Sequence, residues 1–92
     1  MLTNNLKSVN DHLLVPLNIS ADGFAFDPTR GESYILNSTG CLIIQQLQQG
    51  KNRAEIVNLI TAKFSISHSS VERDVNDFIQ QLHLLGIMGG NS

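Results

Sequence analysis

Three histidines, His12, His68 and His83, and a single cysteine, Cys41, are the residues of this chain best suited to ligating a metal or attacking a substrate. A zinc site needs three or four converging ligands, and none of these four stands at metal-ligand spacing from another, so neither a metal nor any other cofactor is expected. A hydrolytic triad would need serine or Cys41 beside a histidine and a carboxylate, and no nucleophile elbow occurs. Gly50-Lys51 lacks the upstream glycine and the following serine or threonine of a phosphate loop, and reads as a helix stop with a solvated lysine. Cys41 falls near a helix start, where unpaired N–H groups could favour a reactive thiolate, but a small buried hydrophobe beside Gly40 is the simpler reading. The chain is not expected to be an enzyme.

Without catalytic chemistry, function depends on the surfaces that the folded elements present. The 92 residues suffice for one core only, and 41% hydrophobic with 15% charged residues is a globular composition. With no tryptophan, that core must be aliphatic. A net charge of -2 and six scattered basic residues argue against a phosphate-neutralising surface, so no nucleic-acid partner is expected. There is neither a signal-peptide pattern at the start nor an apolar run of membrane-span length, and the lone cysteine forms no internal disulfide. A cytoplasmic protein without a membrane partner is the expectation.

Residues 1–11 are polar, Asn-rich and without period, and read as a flexible arm before a domain over residues 12–88. From His12 to Ser20 the residues Leu13, Val15, Leu17 and Ile19 alternate with polar ones as in one half-buried strand, placed at an edge by Pro16. Phe24-Ala25-Phe26 makes a second strand. Asp27-Pro28 to Gly31 makes a hairpin loop, and Tyr34-Ile35-Leu36 a third strand. Asn37, Ser38 or Thr39 caps a first helix that buries Ile43, Ile44 and Leu47 and stops at Gly50, while Gly40 is expected to let this helix pack closely on the sheet. Asn52 and Glu55 form a capping box for a second helix with a face of Ile56, Val57, Leu59, Ile60 and Phe64. Ser69 and Glu72 suggest the box of a third. Its stripe runs through Val71, Val75, Phe78, Leu82 and Leu85, with Ile79 on the flank and Gly86 as the cap. Residues 89–92 read as a disordered tail. The fold class is α+β, a winged-helix-like three-stranded antiparallel sheet followed by three helices.

Such a sheet has an outer strand, Glu32 to Leu36, whose free backbone groups could accept an added peptide strand. Asp74, Asp77 and Gln81 flank the Val75, Phe78 and Leu82 stripe, giving an apolar floor with an acidic rim suited to an amphipathic, partly basic peptide. A winged-helix DNA-binding or regulatory module has the same inventory of elements, but the third helix carries Glu72, Asp74 and Asp77 against Arg73 alone, which opposes phosphate. A self-associating interaction domain using the exposed edge is the other alternative.

Several residues together carry a family likeness: Phe26-Asp27, Tyr34-Ile35-Leu36-Asn37-Ser38-Thr39-Gly40, Leu47 to Gly50, Glu55-Ile56, Val71-Glu72-Arg73-Asp74-Val75 to Phe78, and Leu82 with Leu85-Gly86-Ile87. From Gly23 to Met88 the chain resembles the PqqD-like family, or RiPP recognition elements. The resemblance implies a non-catalytic peptide chaperone that binds the leader of a ribosomally made precursor peptide by strand addition. It also implies presentation of that leader to a modifying enzyme, a radical SAM protein or another maturase. On this sequence the leader would pair along Ser33, Tyr34 and Ile35 and face Asp74, Val75, Phe78 and Gln81. The first strand is more polar than the family pattern, and Cys41 stands where a small or apolar residue is usual.

Overall fold

The structure, a computed structural model, describes residues 11–90. The arm expected over residues 1–11 lies outside the described residues except for Asp11, and so does the tail except for Gly89 and Gly90. The elements follow in the order β1 (His12–Leu13), β2 (Asn18–Ile19), β3 (Phe24–Asp27), β4 (Glu32–Ile35), α1 (Ser38–Gln48), α2 (Arg53–Phe64), α3 (His68–Leu84) and β5 (Met88–Gly89). An antiparallel sheet of order β2-β3-β4 precedes the three helices, as the turn and cap residues imply.

The single first strand breaks in two. Its alternation survives, with Leu17 buried and Leu13, Val15 and Ile19 half-buried, but only Asn18 and Ile19 join β3, opposite Phe26 and Ala25. Pro16 lies in the break, where no ladder N–H is required of it. The Leu17 carbonyl accepts a hydrogen bond from Gln48 Nε2 at 2.7 Å. His12 and Leu13 instead pair with Gly89 and Met88, so Gly89, expected in a disordered tail, is held in a strand. A Cβ at Gly89 would stand 2.9 Å from Leu14 Cδ2, so a larger residue there would require the exposed Leu14 side chain to shift.

Local chemistry sets the helix ends. Asn37 caps α1 by accepting from the Gly40 N–H at 2.7 Å, and Asn52 and Glu55 complete the reciprocal capping box of α2. The third helix begins earlier than Ser69 suggests. Ser65, at φ 55, ends α2, and Ser67 caps α3 by accepting from the Ser70 N–H. With only Ile66 between the two caps, α3 must start at His68. Gly86, at φ +75, closes α3 as expected.

Aliphatic side chains of all three helices, with Leu17, Ala25, Ile87 and Met88, form the core. On α3 the buried stripe is Val71, Val75, Ile79 and Leu82. Ile79, expected on the flank, is fully buried, whereas Phe78 is half-buried and Leu85 exposed. The helix is thus rotated about its axis so that the Phe78–Leu85 side borders solvent. Gly40 serves a different contact from the one its position suggested. A Cβ there would lie 3.2 Å from Phe78 Cε1, so the close approach is between α1 and α3 rather than between α1 and the sheet.

Candidate functional site

β4 is an edge strand, and its pairing with β3 determines which backbone groups remain open. Antiparallel partners alternate between pairs that exchange hydrogen bonds and pairs that do not. The Leu36 N–H donates to the Gly23 carbonyl at 2.8 Å, which puts Leu36, Tyr34 and Glu32 in the bonded set facing β3. The N–H and C=O of Ser33 and Ile35 therefore point away from the sheet. Ile35 is 84% exposed.

Side chains alternate in the perpendicular direction. Tyr34 and Leu36 point inward and are half-buried, whereas Ser33 and Ile35 lie on the outer face. Between β4 and α3 runs a groove of about 150 Å³, bordered by Tyr34, Ile35, Leu36, Phe78, Gln81 and Leu85. Ala25 and Leu82 contribute to its floor. Its walls are mainly apolar, with Gln81 and the Tyr34 hydroxyl as polar groups.

Four of the seven residues expected at the site, Tyr34, Ile35, Phe78 and Gln81, meet around this groove. Ser33 contributes through its outward backbone groups. Asp74 is exposed on α3, one turn before Phe78, and does not line the groove, although it stands on the same helix side. Val75 does not line the groove. Its side chain is 0% exposed in the core, because the α3 rotation that brings Phe78 to the groove turns Val75 fully inward. Leu36, from the expected edge strand, and Leu85, from the expected α3 stripe, line the groove in addition to the residues named for the site, and the four-residue step from Gln81 to Leu85 is the signal for the second.

Polar contacts fix the groove at the hairpin end. Asp27, 0% exposed, accepts from the Thr29 N–H at 2.9 Å and from Arg30 Nε at 2.6 Å. The hydrogen bonds from the Thr29 hydroxyl and from Arg30 lower the Asp27 pKa to about 2 against the cost of burial. Arg30 Nη1 also donates to the Leu85 carbonyl at 3.2 Å, supplying a partner and a positive charge at the C-terminal end of α3. The hairpin and α3 are thereby tied together. The Tyr34 hydroxyl donates to Glu32 Oε1 at 2.8 Å, and that bond raises the phenol pKa.

A second polar cluster holds the far side of α3. Asp11, whose side chain is 6% exposed, accepts from Arg53 Nη2 at 3.0 Å and pairs with Arg53 Nε, while His83 Nε2 lies 3.3 Å from its Oδ1. Burial raises the Asp11 pKa, but the hydrogen bonds from Arg53 and His83 outweigh it and the net shift is downward. Arg53 Nη1 also donates to Asn76 Oδ1 at 2.9 Å. Asp11 is therefore a tethering residue rather than the end of a loose arm. Among the described residues no cluster of histidine, cysteine and carboxylate side chains could hold a metal ion, and no helix is long and apolar enough to cross a membrane.

An α+β domain with an open sheet edge facing an apolar helix groove defines a class of strand-accepting binding modules. Residues 23–87 match the family described as Coenzyme PQQ synthesis protein D (PqqD), and the chain belongs to that family. Two solved structures share the fold. One, TbiB1 in complex with the TbiA(beta) leader peptide, is 27% identical with a TM-score of 0.78, over 88% of this chain and 98% of that chain. The other, a lasso peptide synthetase B1 complexed with the leader peptide, is 24% identical with a TM-score of 0.75, over 87% of this chain and 98% of that chain. No curated protein sequence matches the chain.

Proposed function

We propose that this protein is a non-catalytic, cytoplasmic peptide chaperone that captures the leader of a ribosomally made precursor as a strand on β4 and presents it to a modifying enzyme. The observation that carries this reading is the outward backbone of Ser33 and Ile35 directly beside the groove between β4 and α3. Membership of the PqqD family supports it, and so does the 27% identical neighbour whose structure contains a leader peptide.

The register follows from the strand geometry. In an antiparallel arrangement, leader residues opposite Ser33 and Ile35 exchange backbone hydrogen bonds with them, and their side chains share the outer face. Leader residues opposite Tyr34 and Leu36 turn into the groove, against Phe78, Gln81 and Leu85. A suitable leader thus carries two apolar residues separated by one. Asp74 and Asp77 favour basic residues beyond the groove through charge rather than contact.

An amide NMR titration with candidate leader peptides encoded beside the gene tests the reading. Binding is expected to shift resonances from Glu32 to Leu36 and along the groove side of α3 from Asp74 to Leu85. A folded protein whose spectrum stays unchanged at millimolar peptide would sink it.

A further inference from the structure

The hairpin end of the groove carries a carboxylate, Glu32, with which no lysine or arginine among the described residues forms an ion pair. Glu32 lies opposite Asp27 across the β3–β4 ladder, so both side chains share the inner side of the sheet, and Tyr34 follows on that side two residues on. Asp27 is buried and holds Arg30 Nε at 2.6 Å, while Arg30 Nη1 donates to the Leu85 carbonyl. Arg30 stands within electrostatic reach of Glu32 but forms no ion pair with it. Two carboxylates and one guanidinium therefore meet at this corner, and the guanidinium is committed to Asp27 and to the end of α3. Glu32 is exposed, and the Tyr34 hydroxyl donates to its Oε1 at 2.8 Å.

We propose that Glu32, oriented by the Tyr34 hydroxyl, selects leaders that carry lysine or arginine two residues after the second of the two apolar residues. The inference rests on the strand-addition reading above. Leader residues opposite Leu36, Tyr34 and Glu32 all turn to the groove side, because side chains alternate along a strand. In an antiparallel leader they follow in that order, so the basic residue comes after the apolar pair and never before it. The pairs opposite Tyr34 and Glu32 are also those that exchange no backbone hydrogen bonds, which brings their side chains closest. A carboxylate that accepts from one hydroxyl keeps lone pairs for a second donor, and an ammonium or guanidinium supplies that donor together with its charge. An acidic leader residue there would place like charges directly opposite, which is destabilising. Asp74 and Asp77 act at the other end of the groove. They precede Phe78, which lies beside Gly40 beyond the end of β4, so their charge attracts leader residues that come before the apolar pair.

The test is a double-mutant cycle on the full chain, read by titration calorimetry. Its probes are the leader peptide encoded beside the gene with lysine, glutamine or glutamate at the position opposite Glu32. Wild type is expected to bind the lysine peptide about fivefold or more tighter than the glutamate peptide, and Glu32→Lys to reverse that preference. Glu32→Gln, which keeps the size of the side chain, should bind all three peptides alike. Moving the lysine one position toward the leader N-terminus turns it to the outer face opposite Ser33, and its coupling to Glu32 should vanish. Equal affinity of wild type for the lysine and glutamate peptides overturns the proposal. So does coupling that survives the one-position move, since net charge and not a paired position would then be responsible. Coupling of Glu32 to a residue two positions before the apolar pair would mean a parallel leader and overturns it as well. A folded wild type that binds none of the peptides strikes the strand-addition reading and this inference with it, whereas binding without charge preference strikes this inference alone.

Discussion

Gly40 of α1 leaves the space that the Phe78 ring of α3 fills: a Cβ at Gly40 would stand 3.2 Å from Phe78 Cε1 and 3.3 Å from Cζ. The same ring borders the groove. Alanine at position 40 must therefore displace the ring, and the Asn37 Oδ1 that also lies 3.2 Å from the added Cβ, by a few tenths of an ångström. Gly40→Ala should gain up to about 1 kcal/mol of helix propensity and lose part of it to this contact. Leader affinity measured by fluorescence anisotropy should fall several-fold while the melting temperature changes little. A variant with undiminished affinity would show that the ring position does not set the groove.

Asp74 and Val75 are neighbours in sequence with opposite roles. Asp74→Lys alters an exposed position and should change stability by less than about 0.5 kcal/mol. It should weaken a basic leader several-fold, an effect that shrinks in high salt. Val75→Ala removes buried methyl groups and should cost about 2 kcal/mol. Denaturant titration and calorimetry separate the two, because Val75→Ala should leave the affinity of the folded fraction unchanged.

Stability should fall in acid through Asp27. Its folded pKa of about 2 lies below the ordinary value of 3.8, so the unfolded chain binds the proton more readily. The contribution of Asp27 is thus fully present above about pH 4 and is lost as pH falls from there toward 2. Asp11, also shifted downward, adds loss of the same sign. Urea midpoints at several pH values measure the slope, and Asp27→Asn should flatten it while lowering stability at neutral pH. An unchanged slope in that variant would rule out Asp27 as its source.

Ser65 ends α2 with φ 55, a left-handed conformation that costs an L-residue roughly 1–2 kcal/mol. Glycine adopts it freely but loses more entropy on folding. Ser65→Gly should therefore raise stability by about 0.5–1 kcal/mol, read as a higher urea midpoint with the same slope. Leader binding should not change, since the site is formed by other elements.

The order of elements and most of their ends were legible in the residues themselves. Asn37, the Asn52 and Glu55 pair, Gly50 and Gly86 act on backbone groups within one turn, so their effects are local and survive into the fold. The β3–β4 hairpin and the open β4 edge were likewise legible from a turn between two short alternating runs. Ser69 misled because two serines compete for one cap, and the left-handed Ser65 immediately upstream decides between them.

What the sequence by itself determined is therefore a three-stranded sheet and three capped helices, because side-chain period and capping depend on near neighbours; it offered Ser33, Tyr34, Ile35, Asp74, Val75, Phe78 and Gln81 as a candidate site without showing which of them meet. Only the tertiary structure decided the pairing of β1 with β5, the inward turn of Ala25 and Asp27, and the rotation of α3 that buries Val75 and Ile79 while bringing Phe78 to the groove. The first joins residues from opposite ends of the domain. The others depend on which volumes fit together: Ala25 fits beneath the helices, Asp27 brings its own ring of hydrogen bonds, and Gly40 makes room for the Phe78 ring beside the capping side chain of Asn37.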